Sequence, residues 1–455
     1  MFGFGLFFLL FASASWITKL AWQESEWNLP SGDCLYQAVV IDEPVLKPKT
    51  WMCKIRIRTA ENPVYQEATG KKAVIYLPLD SLSPAIVPGD CLLFSGQLES
   101  SPPYLKRQSF AAAGFIRKNR WQPVKNPDPS FSILIQALSV RRMLLERLQL
   151  MVPERQSYAL AAALMFGYRN ELDKDLQQAF SHIGAAHILA ISGTHFTLLF
   201  GMLYFMLSFT GNSRKGKIIR QVILLPLIWG FAFLTGFSPS VIRAALMLSI
   251  WGIGNAFFFR AFTLNTIAAA AFFMLLFCPL YLYDVGFQLS FLAVISIVLI
   301  NPYLVKLYES KNVLIQYVWD LICVSVSAQV GVLPLCIYYF HQFPSIFLLT
   351  NICLMPLASI LLFLIPVSLL LHFLFGSFSG MLFPLNKTLE YFISTVRTLD
   401  KFSYGNITGL TIDSQGLTAL FLAIIFIVLL LIKKRVVYLY LLLIVVAFQV
   451  IFYLI

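Results

Sequence analysis

Apolar runs near residues 187–209, 218–236, 241–258, 263–280, 285–300, 313–340, 345–374, 416–432 and 436–454 constrain this chain more than any other feature. A hydrocarbon core ~30 Å thick takes about 20 helical residues to cross. Backbone amides at that depth meet no water, so each run must bond within itself as a helix. The predicted fold class is a polytopic α-helical membrane protein of about 9–11 spans. Composition agrees: 58% of residues are hydrophobic and 12% charged, about half the charge of an ordinary soluble chain. The alternating segments of a transmembrane barrel do not occur.

The net charge of +12 sits largely between the runs, at Arg214, Lys215, Lys217 and Arg220, at Lys306 and Lys311, and at Lys433, Lys434 and Arg435. The positive-inside rule makes these cytoplasmic loops. The polar region before residue 185 then faces the extracytoplasmic side of the cytoplasmic (inner) membrane. Counting crossings onward, the run at 345–374, with Pro356 and Pro366, must be broken or re-entrant if Lys433–Arg435 is to end inside.

Four sections follow. Residues 1–22 are apolar without a basic leader, which predicts a retained anchor. Residues 28–127 change grammar: CLYQAVVIDEP, TWMCKIRIRTA, KKAVIYLP and DCLLFSGQLES are short β-branched runs separated by Pro, Gly, Asn and Asp. That pattern predicts a small all-β domain of about five strands, of a size that suits an OB-like barrel. Residues 131–181 supply connecting helices. The first has Phe131, Leu134, Leu138, Leu145 and Leu148 against Arg141, Arg142, Glu146 and Arg147, and is expected along the membrane surface. Residues 185–455 form the helical bundle. Cys34, Cys53 and Cys91 share the β region, where an oxidising compartment permits one bridge, such as 34–91. The pair itself stays open.

Chemistry-bearing motifs are sparse. The five histidines form no HExxH pattern, no Cys-x-x-Cys occurs, and there is no P-loop. Ser192 lacks the G-x-S-x-G frame of a hydrolase elbow. No catalytic residue, metal or cofactor is implied. Polar groups inside or at the ends of apolar runs are more informative. Ser238, Ser240 and Arg243 open one run, and Asp284, Gln288 and Ser290 open another. Gln329 and Asn351 lie within two more, and His187, Ser192, Gly193 and His195 head the run at 187–209. A buried arginine costs at least ~2.5–3.5 kcal/mol, so this set reads as a polar path or as interhelical hydrogen bonding.

These motifs resemble the ComEC-type competence proteins, inner-membrane channels for DNA uptake. The carrying phrases are HILAISGTHFTLLFGMLY, GFSPSVIRAALM, DVGFQLSFLAVISI, and QVGVLP with NICLMPLAS, in the family's order over about residues 155–400. The resemblance implies passage of single-stranded DNA through the bundle. His187, Ser192, Gly193 and His195 would then stand at the entrance, and Arg243 would meet phosphates or hold the pore through Asp284. It also implies that the β domain is an OB-like module offering the strand a groove. There Lys106, Arg107, Arg117, Lys118 and Arg120 interleave with aromatic residues that include Trp121, a mix of charge and stacking rings that suits single strands or a basic face near anionic lipid. Many relatives carry a C-terminal metallo-β-lactamase-like nuclease domain. No such motif precedes Ile455 here, so either a nuclease is expected from another chain or the sequence is part of a longer one. A separate extracytoplasmic DNA receptor and a cytoplasmic motor or single-strand-binding protein are expected too, besides the lipid membrane. Two other readings stand beside the channel: a transporter of another polar or anionic solute, and a membrane-embedded metal-dependent hydrolase built on His182, His187 and His195.

Overall fold

The computed structural model describes residues 26–29, 32–60, 68–80, 86–106, 110–124, 133–189, 193–257, 263–376, 379–402 and 407–454, with residues 16, 18–20, 23 and 83. Apart from residues 16 and 18–20, the expected anchor at 1–22 lies outside the described residues. The chain divides into two compact units, one of Met1–Leu150, Leu203–Arg260 and Ala268–Gln288, the other of Met151–Met202, Ala261–Ile267 and Leu289–Ile455.

The first unit opens with a mixed β-sheet. Its strands are β1 (Cys34–Val40), β2 (Val45–Leu46), β3 (Thr50–Ala60), β4 (Lys72–Pro78), β5 (Cys91–Gly96), β6 (Glu99–Ser100), β7 (Ala112–Phe115) and β8 (Trp121–Val124), with a short helix α1 (Pro103–Lys106) before β7. They run in the order β6-β7-β4-β3-β1-β5-β8, with β2 on β3. All recorded pairings are antiparallel except that of β7 beside β4. The sheet thus has eight strands where sequence punctuation suggested about five, because two-residue strands carry no periodic signal. Period-two alternation sets the core. Cys53, Ile55 and Ile57 of β3 are buried with Tyr36, Ile75, Leu77, Leu92 and Phe94, while Lys54 and Arg56 take the other face. Pro123 in β8 is tolerated because that strand ends the recorded order.

Register disposes of the 34–91 bridge. Cys34 stands opposite Gly96 and Cys91 opposite Val39, five residues further along β1. At about 3.4 Å per residue the two are far beyond disulfide reach, and all three cysteines of the sheet are free.

After the sheet comes α2 (Ile133–Met151), followed in this unit by α7 (Arg214–Leu234), α8 (Pro239–Phe257) and most of α9 (Thr263–Phe277). The buried positions Leu138, Arg141, Leu145 and Leu148 form one stripe of α2 at spacings of three and four. Arg141 therefore belongs to the buried face, which corrects its expected place on the polar face beside Arg142. Helices α7 and α8 lie close together. A Cβ on Gly252 would fall 2.1 Å from Gln221 Nε2, and Trp229 Nε1 donates to Ser249 Oγ at 3.2 Å.

The second unit holds α3 (Arg155–Phe166), α4 (Lys174–His182), α5 (Ala186–Leu189), most of α6 (Gly193–Met206) and of α10 (Val285–Val305), and α11 (Val313–Phe340), α12 (Phe347–Phe375), α13 (Ser379–Lys401), α14 (Ser414–Lys433) and α15 (Val436–Leu454). The Ala-rich α3 is buried from Ser157 to Phe166. On α13, Leu385, Leu389, Phe392, Val396 and Leu399 are buried, and Phe392 stacks on Phe180 at 6.2 Å.

The break expected at 345–374 is absent. Pro356 and Pro366 sit inside one continuous helix, and the chain reverses at Gly376, φ 74°. The two ends of the region that follows α11 meet in a small sheet. Strand β9 (Gln342–Phe343) pairs antiparallel with β10 (Ile407–Thr408), and Leu410 N–H donates to His341 O at 3.2 Å. Chain that leaves at Phe343 and returns beside it at Ile407 crosses a bilayer an even number of times.

Among the described residues six helices are long and apolar enough to cross a membrane: Arg214–Leu234, Pro239–Phe257, Val285–Val305, Val313–Phe340, Phe347–Phe375 and Ser414–Lys433. Shorter apolar helices cover His195–Thr210, Thr263–Phe277 and Val436–Ala447. The chain is a multi-pass membrane protein.

Candidate functional site

In the first unit the turn from α7 to α8 presents the polar motif. Thr235 and Phe237 donate back to Phe231 and Ala232, and Gly236 and Phe237 take φ of 69° and 53°. The hydroxyls of Ser238 and Ser240 then lie 3.4 Å apart. Arg243, one turn into α8, is 6% exposed and its Nε has no partner. Asp284 does not close on it. Its Oδ1 accepts the Phe287 N–H at 2.8 Å and caps α10. Both groups flank Gly286, where a Cβ would stand 3.1 Å from Asp284 Oδ1 and 4.0 Å from Arg243 Nη2. The expected Arg243–Asp284 tie is thus an attraction across space rather than an ion pair, and the arginine keeps donors to spare. Gln288 is occupied locally, donating to Leu282 O at 2.8 Å.

The sheet rearranges the expected basic–aromatic segment. Trp121 is core, 7% exposed, with its indole N–H donating to Asp80 at 3.1 Å; it cannot serve as a stacking platform. Arg120 pairs with Asp33. Arg107 and Ser192 lie outside the described residues. Arg117 and Lys118 are exposed in the β7–β8 turn, and Lys106 is half-buried. The ring that does face solvent is Phe115, 72% exposed and stacked on Tyr76 at 4.7 Å. The same sheet face carries Arg56 with its cross-strand neighbour Lys72. Only strand parity could have separated Phe115 from Trp121, and the intervening turn hides it.

Two further arginines were read as surface charge and are not. Arg220, 2% exposed, donates to the carbonyls of Leu207, Ser208 and Gly211 and to Thr210 Oγ1, and lies over the Tyr204 ring at 4.4 Å. It closes the C-terminal end of the turn after α6, where carbonyl dipoles favour a cation. Arg141 bonds Glu43 Oε1 at 2.9 Å and donates to Thr235 O at 3.4 Å. Its signal in the sequence was its position on an apolar stripe.

In the second unit the histidines of the motif have different surroundings, although His187 and His195 lie close enough to interact electrostatically. His182 Nδ1 meets Asp400 Oδ1 at 3.1 Å. His187 is exposed, its Nδ1 at 3.1 Å from Gly184 O, and His195 is buried at 2% exposure. Among the described residues no cluster of His, Cys, Asp and Glu is placed to hold a metal ion, so the arrangement predicted for a metal-dependent hydrolase is not present there. Asp400 edges a polar cleft of about 400 Å³ with Gln156, Asp173, Lys174 and Arg397. Gly193 begins α6, its carbonyl accepting from Thr197 Oγ1 at 2.7 Å, and Ser290 is half-buried on α10. Asn351 donates to Ser325 Oγ at 3.2 Å with its Oδ1 unpartnered, as are the hydroxyls of Ser327 and Thr350. Gln329 follows Ser325 by one helical turn, so α11 and α12 share a polar seam.

Fold and site together define a class: a multi-pass helical membrane protein with a mixed β-sheet domain and, among the described residues, an arginine buried without a carboxylate ion pair at a helix start. The Competence protein family matches residues 164–435, well over half of the chain, and the chain belongs to that family. It is 32% identical over 221 residues to ComE operon protein 3 of Bacillus subtilis (strain 168), covering 49% of this chain and 27% of that one. It is 29% identical over 215 residues to an uncharacterized protein of Aquifex aeolicus (strain VF5), covering 47% and 48%. It is 28% identical over 142 residues to the uncharacterized protein YcaI of Escherichia coli (strain K12), covering 29% and 18%. The chain spans less than half the length of each of these relatives. No solved structure matches.

Proposed function

We propose that the chain forms a path for single-stranded DNA across the cytoplasmic membrane during natural transformation. Arg243 carries the reading. A cation buried at 6% exposure near a helix start is expensive, about 2.5–3.5 kcal/mol or more. Such residues mark ion or substrate pathways, and a phosphate backbone supplies an anion that Arg243 can hydrogen-bond directly, which Asp284 does not. Ser238 and Ser240 add hydroxyls one turn before it. The seam of Ser325, Gln329 and Asn351 offers hydrogen bonds without fixed charge, which lets a polyanion pass without being trapped.

On this reading the β domain is extracytoplasmic. Its exposed Phe115, Arg117 and Lys118, with Arg56 and Lys72, gather the strand by stacking and charge. No nucleotide-binding loop is present in the sequence, so a cytoplasmic motor or single-strand-binding protein draws the strand inward. A separate receptor and a nuclease act before entry. The test is uptake of labelled DNA into cells with the gene deleted and restored. Restoration of cytoplasmic DNA by the wild-type chain is expected. Unchanged uptake on deletion would overturn the reading.

A further inference from the structure

The β domain and the α7–α8 turn belong to one compact unit, and one side chain joins them. Arg141 reaches from α2 to both, with Nη2 on Glu43 Oε1 at 2.9 Å and Nη1 on Thr235 O at 3.4 Å. The pair is closed to solvent, the side chains of Arg141 and Glu43 being 9% and 16% exposed. Thr235 caps the C-terminal end of α7, where a cation complements the helix dipole. Gly236 makes the seat possible: at φ 69° a Cβ would come 3.2 Å from Leu138 Cδ2 and 3.4 Å from Arg141 Nη1. A second loop of the β domain bears on the same helix, since a Cβ on Gly89 would stand 3.0 Å from Ile135 Cγ2. Ser238 follows three residues after Thr235, and Arg243 lies one turn into the helix beyond.

We infer that Arg141 is a positioning residue that fixes the β domain to the head of α8, so that whatever the β domain holds arrives in register with Ser238, Ser240 and Arg243. The fork of a guanidinium is needed because it bonds a carboxylate and a carbonyl at once. Lysine offers a single point charge. Only the nature of the cargo rests on the DNA-uptake reading; the tie between sheet and helix does not.

Glu43→Gln is the informative variant, because Glu43 is placed on Arg141 and not on the α7–α8 turn. Hydrogen exchange of the full chain in detergent should show residues 235–242 opening roughly five-fold faster or more, at the lower end of inter-site coupling, with β1, β3 and β5 unchanged. Arg141→Lys should do the same. Faster exchange confined to residues 42–46, with 235–242 unchanged, would overturn the inference whatever the cargo. In cells with matched membrane levels, Glu43→Gln should lower the maximal rate of labelled-DNA uptake while leaving the half-saturating DNA concentration unchanged. A raised half-saturating concentration at full maximal rate would place the pair in binding and overturn the positioning role. If the wild-type chain supports no uptake but the exchange result holds, the DNA reading fails and the tie stands.

Discussion

Replacing Arg243 by methionine separates a working cation from a structural one. The side chain is 6% exposed, its Nε lacks a partner, and Asp284 is committed to the Phe287 N–H at 2.8 Å. Methionine keeps most of the length and removes a charge whose burial costs about 2.5–3.5 kcal/mol, so thermal unfolding in detergent should be unchanged or shifted upward. Replacing a buried charge by a hydrophobe of similar volume is often neutral or stabilising. Translocation should move the other way. A charge-assisted hydrogen bond contributes about 1.5–3 kcal/mol, and its loss slows passage of phosphates by roughly 10- to 150-fold. The assay is cytoplasmic uptake of labelled DNA at matched membrane levels, beside the melt. A more stable, uptake-deficient protein supports the reasoning. Uptake at the wild-type rate refutes it, and a joint loss of stability and uptake makes Arg243 a packing element.

Three further outcomes can be measured on the purified full chain. Phe115→Ala should weaken single-stranded DNA binding by about 1–3 kcal/mol per stacked base without moving the melt, whereas Trp121→Ala should cost about 3–5 kcal/mol of stability as a core truncation; the reverse pattern would restore Trp121 as the platform. Gly331→Ala places a Cβ 2.5 Å from Ser296 Cβ and 2.9 Å from the Leu292 carbonyl. Backbone cannot rotate away, so overpacking of about 1–3 kcal/mol should appear in the melt, while Gly201→Ala, with nothing within 4 Å, should cost nothing. Burial holds the Glu43 carboxyl above its ordinary value, with Arg141 opposing. A raised folded value means the folded state keeps a proton that the unfolded chain releases. The stabilisation is therefore full below the unfolded value of ~4.3 and is lost as pH rises through the folded one. The wild-type melt should lose stability as pH rises from about 4, a slope that Glu43→Ala, which removes the titrating group, should not show; parallel profiles would contradict it.

Much of this protein follows from its sequence because the solvent of each segment is written locally. Runs of about 20 apolar residues can only be helices in a bilayer, and they marked out the six long apolar helices among the described residues. Punctuated β-branched runs placed four of the sheet's longer strands, and four ordered phrases pointed to the family. What the sequence could not show depends on partners distant along the chain. Arg141 and Arg220 read as surface charge until Glu43 and the carbonyls after α6 are seen around them. Trp121 and Phe115 exchange roles because strand pairing decides which face each one takes. The prolines of α12 suggested a break, yet the helix runs through both and the reversal comes at Gly376. Local hydrophobicity determines which segments are buried; tertiary structure alone decides what each buried polar group meets, because that meeting joins residues tens to hundreds of positions apart.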